Sequence, residues 1–131
     1  MGDSFLDRAS KCAPRILRLG LATVILWFGF SQIFDAASWT SWVPHWASFF
    51  GLTALQVVYL NGAFEAITGI LLVLGILARP IAVLLFLHLA VLVVDIGITP
   101  IGVRDFGLAV AFLYLALSKP ASNAESIVVE N

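Results

Sequence analysis

Glu65 lies well inside an apolar run, from Val57 to Leu77, that is long enough to cross a bilayer. A carboxylate at that depth costs roughly 2.5 kcal/mol or more on insertion scales, so it is expected to face protein or water and to have a partner. Asn61, one turn earlier, shares its face. His88 stands near the middle of a second apolar run, with Asp95 two turns further along. If these runs are antiparallel helices rising about 1.5 Å per residue, Glu65 and His88 come to similar depths and Asn61 lies near Asp95. Gln32 and Asp35 close an earlier apolar run, and Arg104 and Asp105 open the last one. Gln32, Asn61, Glu65, His88, Asp95, Arg104 and Asp105 can therefore converge on one pocket.

The chemistry open to such a cluster is limited. A Glu65–His88 pair at mid-membrane could relay protons or hydrogen-bond a quinone carbonyl. Arg104 could hold an anion or pair with Glu65, Asp95 or Asp105. The plainer alternative is that these residues bond one another and specify helix packing. Hydrogen bonds between membrane helices average about 0.6 kcal/mol in some measurements, so a polar network need not be functional.

Four segments can position these residues, read against the roughly 20 residues that a bilayer requires. They run from about Ile16 to Phe34, Gln56 to Leu77, Ile81 to Ile98, and Phe106 to Leu117, the last starting near Ile101. All are expected to be helices, because isolated strands leave backbone groups unsatisfied in lipid. With the N-terminus cytoplasmic, Arg8, Lys11, Arg15, Arg18, Arg79 and Lys119, six of the seven basic residues, lie inside, and Arg104 alone lies outside. The positive-inside rule then predicts that both termini are cytoplasmic. A cleaved signal peptide ending at Ala36-Ala37-Ser38 is the rival reading, but the first apolar stretch exceeds the usual core of about 7–15 residues.

Composition agrees with a membrane protein. The chain has 131 residues, 61% hydrophobic and 11% charged, with mean hydropathy +1.04. Ordinary soluble domains carry roughly 25% charged residues. A net charge of −1 and a pI near 6.0, with no basic stripe, argue against nucleic-acid binding. Cys12 is the only cysteine, so no intramolecular dithiol cycle exists. His45 and His88 are expected at different depths, a poor arrangement for two axial haem ligands. No close cluster of Cys, His and carboxylates suggests zinc, and no phosphate-cradling glycine loop or nucleophile elbow is present. No cofactor is encoded by a recognisable motif.

The connections add constraints. Ala78-Arg79-Pro80 leaves almost no loop, which predicts a tight antiparallel pair for the second and third spans. Gly97 to Gly102 predicts the same for the third and fourth. Ser38 to Leu55 is longer and carries Trp39, Trp42, Trp46, Phe49 and Phe50. The spacing predicts Trp39, Trp42, Trp46 and Phe49 on one side of a short helix, bent at Pro44 and lying in the membrane interface. This segment could be an aromatic belt that anchors the bundle or a lid over an external cavity. Gly62, Ala66 and Gly69 on the second span, and Gly107 and Ala111 on the fourth, are expected to be packing contacts.

The run from Phe64-Glu65-Ala66 through Ala78-Arg79-Pro80 resembles the central signature of the DoxX-like membrane proteins, in which a second-helix Glu precedes an apolar stretch, a Gly and a basic turn. Arg18 through Gly29-Phe30-Ser31-Gln32 is similar to the opening helix of that family, and Arg104-Asp105-Phe106-Gly107-Leu108 to the start of its last helix. The resemblance covers roughly residues 15–118. It implies a four-helix fold and an association with redox systems. Relatives include the membrane subunit of a thiosulfate:quinone oxidoreductase and proteins tied to oxidative-stress complexes, and others act as assembly or trafficking helpers. The long polar third loop of some members is missing here.

The expected architecture is therefore an all-α, integral membrane four-helix bundle with both ends inside and an interfacial aromatic segment in the first external loop. Residues 1–14 form a cytoplasmic segment, 15–118 the DoxX-like domain and 119–131 a cytoplasmic tail. The expected role is an accessory or quinone- or lipid-binding subunit of a redox system in a bacterial or archaeal cytoplasmic membrane. A non-catalytic structural or assembly subunit, or an oligomeric small-solute transporter, is the alternative. The expected partners are membrane lipid and a larger membrane complex or further copies of the chain.

Overall fold

A computed structural model describes residues 4–119. Within that range the chain is helical, and four helices are long and apolar enough to cross a membrane. They are α1 (Phe5–Phe34), α3 (Ala54–Leu74), α4 (Ala78–Ile96) and α5 (Pro100–Leu117), with a short α2 (Ala36–Trp39) between the first two. Beyond Lys119 the expected tail lies outside the described residues.

α1 starts well before its expected span. Ser4 and Asp7 form a capping box: the Ser4 side chain accepts from the Asp7 amide, and the Asp7 carboxylate accepts from the Ser4 backbone and hydroxyl. Those bonds hold the Asp7 carboxyl below the ordinary carboxylate value. The helix continues through Pro14 and, at 30 residues, is about 45 Å long, more than a hydrocarbon core requires. Residues 5–13 are all exposed.

The turn between α3 and α4 is not at Ala78-Arg79-Pro80. α3 ends one turn earlier, at Gly75, whose φ of +72° suits glycine, and the Ile76 amide donates back to the Leu71 carbonyl. Gly75-Ile76-Leu77 makes the turn, and Ala78-Arg79-Pro80 is the first turn of α4. The Arg18 guanidinium lies against Gly75, at the α3 C-terminus, where the helix dipole favours a cation.

Packing corrects a further expectation. α1 runs closely along α3, and α4 along α5, but α3 and α4 approach each other sparsely despite their short connection. Gly29, Gly62 and Gly69 allow the α1–α3 approach: a Cβ on Gly69 would stand 2.7 Å from Leu26 Cγ. Gly107 does not serve as a packing contact, since a Cβ there would meet nothing within 4 Å; Ala109 and Phe112 bury the α5 face instead.

The core occupies one half of the bundle. Leu21, Ala22 and Ile25 of α1, Leu72 of α3, Ile81, Ala82, Leu85 and Leu89 of α4 and Ala109, Phe112, Leu115 and Ala116 of α5 fill the half near the chain ends. Large apolar side chains such as Trp27, Ile67, Leu84 and Val94 face outward, where lipid can cover them. The other half, toward the aromatic segment, is hollow.

Candidate functional site

The hollow half holds a partly open cavity of about 370 Å³, with side chains from all four long helices in its wall. Its position follows from the glycines. A Cβ on Gly29 would stand 2.6 Å from the Ala66 amide nitrogen, so the backbones of α1 and α3 nearly touch there. Gln32, one turn further along α1, and Glu65, next to Ala66 on α3, are brought face to face. Ile25, Phe28 and Gln32 recur at helical spacing and give α1 its cavity face.

The polar floor is a chain of hydrogen bonds. Asn61 Nδ2 donates to Gln32 Oε1 at 2.8 Å, and Gln32 Nε2 donates to Glu65 Oε2 at 2.8 Å. Glu65 is 4% exposed. Its other oxygen, Oε1, stands 3.5 Å from His88 Nε2, too far for a good hydrogen bond. His88 Nε2 is buried and has no hydrogen-bond partner among the described residues. The His88 ring leans against Phe64, with centroids 4.8 Å apart.

Arg104 and Asp105 form a second polar group. Arg104 Nε donates to Asp105 Oδ1 at 2.9 Å, and Nη2 lies 2.8 Å from the same oxygen. The Arg104 guanidinium also sits over the Phe28 ring, 4.7 Å from its centroid, joining α5 to α1. The Glu65–Arg104 pairing considered from sequence does not form, because the adjacent, buried Asp105 holds the guanidinium.

Six of the seven expected residues, Gln32, Asn61, Glu65, His88, Arg104 and Asp105, line this one cavity. Asp95 does not. It is exposed in the last turn of α4, while Leu92 and Ile96 turn toward the cavity. Asp35 is also exposed and accepts from the Ser38 hydroxyl at 2.7 Å, outside the cavity.

The aromatic segment lies over the floor. α2 ends at Trp39, a 3₁₀ turn carries Trp42, the chain extends at Val43-Pro44, and a second 3₁₀ helix runs from His45 to Phe50. Trp39, Trp42, Trp46 and Phe50 line the cavity. Phe49, expected among them, points away and is 87% exposed. After Pro44 it is Trp46 and Phe50, four residues apart and packed edge-on, that share the cavity side. Trp39 packs edge-on against Phe28, and Trp46 against Phe50.

Sequence reasoning missed Phe28, the seat of Arg104, and named Phe50 in the aromatic segment without placing it on the cavity side. The spacing of Phe28 to Gln32, one turn on the same face, was the available signal for the first. The result is an apolar chamber with one carboxylate oxygen and one unpartnered imidazole nitrogen at its base.

A protein-family model described as DoxX matches residues 13–97, which span most of α1 through α4. The Arg104-Asp105 start of α5 lies beyond the matched stretch. No curated protein and no solved structure matches. With well over half of its length matched and four membrane-crossing helices, the chain is a small multi-pass membrane protein that belongs to the DoxX family.

Proposed function

We propose that this protein binds a lipid-soluble molecule of the quinone class in its cavity and acts as an accessory subunit of a membrane redox system. The observation that carries the reading is the buried, unpartnered His88 Nε2, 3.5 Å from Glu65 Oε1 at the base of an otherwise largely apolar chamber. Buried polar atoms without partners are rare, and a ligand group is one way to satisfy them. A quinone carbonyl can accept from His88 when Nε2 carries the proton, and a quinol hydroxyl can donate to Glu65. The pair therefore suits both forms of such a molecule. A volume of about 370 Å³ falls within the usual range of ligand pockets, roughly 300–1,000 Å³.

The basic residues support an orientation with both chain ends in the cytoplasm and the cavity near the opposite surface, in a bacterial or archaeal cytoplasmic membrane. The chain carries no recognisable redox-cofactor motif, and under this reading electron transfer belongs to a partner protein.

The test is purification in mild detergent with mass spectrometry of the extracted small molecules and of co-purifying proteins. Stoichiometric quinone in the wild type, lost in His88→Leu, supports the reading; equal and trace amounts in both overturn it. One observation favours a second reading. The Asn61–Gln32–Glu65 chain is satisfied within the protein and joins α1 to α3, as a purely structural network does. Under that reading the protein is a packing or assembly subunit, and partner capture survives loss of the ligand.

A further inference from the structure

Two of the cavity's four helix seams are closely packed. α1 and α3 meet backbone to backbone at Gly29 and Gly62. α4 and α5 pack along their length around Leu85, Leu89, Ala109 and Phe112. α1 and α5 approach sparsely, as α3 and α4 do, and are bridged at the cavity's height by Phe28 and Arg104. The aromatic segment covers the end, with Trp39 seated on Phe28.

At the α3–α4 seam His88 touches Phe64 and Glu65, and beside this contact an open groove of about 510 Å³ lies between the two helices on the outer surface of the bundle. Its walls are Leu60 and Phe64 on one side and Leu84, Leu87 and Val91 on the other. Leu52, Val57, Asn61, His88 and Val91 line both this groove and the cavity, so the two spaces meet there, with Asn61 and His88 as the polar residues of the junction. Leu60, Leu84 and Leu87 are substantially exposed and stand where lipid would surround the bundle.

We infer that the α3–α4 groove is a side entrance from the bilayer, and that it holds the apolar chain of a ligand whose polar head rests against Glu65 and His88. The inference builds on the proposed use of the cavity. The occupant is an amphiphile with a long hydrocarbon chain: the groove walls are aliphatic and aromatic, and its polar residues lie only where it joins the cavity. The connection between α3 and α4 fixes the two helices at the Gly75-Ile76-Leu77 turn and leaves them free to stand apart at the groove.

The test uses the full-length protein in phosphatidylcholine vesicles with two long-chain quinone probes, one photoreactive on the ring and one on the chain. The ring probe is expected to label near Phe64 and His88 and the chain probe to label Leu60, Leu84 or Leu87, both competed by unlabelled long-chain quinone. Leu87→Trp or Leu60→Trp fills the groove from either wall and is expected to weaken competed labelling about tenfold, the equivalent of about 1.4 kcal/mol. Val94→Trp, on the exposed face of the same helix, is expected to leave it unchanged, and thermal unfolding checks that all three variants are folded. Ring labelling at His88 with chain labelling at Trp42 or Trp46 would overturn the side entrance while leaving the cavity as the binding site. Groove labelling that unlabelled quinone does not reduce would mean that membrane lipid fills the groove, and also overturns it. Absence of competed ring labelling would overturn the proposed ligand itself.

Discussion

Gly29 and Gly62 face each other across α1 and α3 so closely that a Cβ on Gly29 would stand 2.9 Å from the Gly62 carbonyl oxygen. The contact is with backbone on both sides, so no side chain can rotate to relieve it. Gly29→Ala is expected to destabilise the protein by about 1–3 kcal/mol through overpacking. Gly107→Ala, where a Cβ meets nothing within 4 Å, is expected to be neutral or slightly stabilising. Thermal unfolding in detergent compares the two, and equal melting temperatures would show that the α1–α3 approach is looser than described.

The Gln32–Glu65 bond separates charge from shape. Glu65→Gln keeps an oxygen for Gln32 Nε2 to donate to, and is expected to change stability by less than about 1 kcal/mol. It removes the carboxylate that faces His88, so ligand content is expected to fall. Glu65→Ala strands Gln32 Nε2 in a buried place and is expected to cost about 1–3 kcal/mol. Unfolding curves and extracted-ligand measurements on both variants distinguish a binding role from a packing role. Unchanged stability and ligand content in both would count against either role.

A quinone beneath the aromatic segment is expected to quench its tryptophans. Trp39, Trp42 and Trp46 line the cavity, whereas Trp27 lies elsewhere on α1 and is 62% exposed. Titration with a quinone should therefore quench fluorescence in Trp27→Phe as strongly as in the wild type. Replacing Trp39, Trp42 and Trp46 together by Phe should leave only the weaker, non-saturating quenching of Trp27. Saturable quenching that survives the triple replacement would place the ligand away from this segment.

Orientation can be read from the single native cysteine. Cys12 is exposed on the extension of α1, and Ser41 is exposed in the aromatic segment at the other end of the bundle. A membrane-impermeant maleimide added to intact cells is expected to spare Cys12 and to label Ser41→Cys in a Cys12→Ser background. The reverse pattern would invert the bundle in the membrane and put the cavity on the cytoplasmic side.

Depth was legible in the sequence because it is arithmetic along a helix. Counting residues set Glu65 level with His88, and their facing atoms lie 3.5 Å apart. Adjacency was less legible. A three-residue turn fixes where α3 and α4 join, but it does not make them pack along their length; small residues decide that, and Gly62 of α3 meets Gly29 of α1 instead. Partner choice was the least legible. Arg104 was a candidate for Glu65 by charge, yet Asp105 is its neighbour in the chain and reaches it first, which leaves Gln32 to meet the carboxylate. Asp95 failed for a local reason, since in the last turn of α4 it is Leu92 and Ile96 that face the cavity.

The bond between Gln32 and Glu65 also bears on how the protein is made. Translation delivers α1 before α3, so the carboxamide is already in the bilayer when the glutamate enters. The costliest side chain of the second span thus meets a donor during insertion, before His88, Arg104 or Asp105 has left the ribosome. Biogenesis of the bundle can proceed in two halves, α1 with α3 and then α4 with α5, and the chamber closes only when the second half docks.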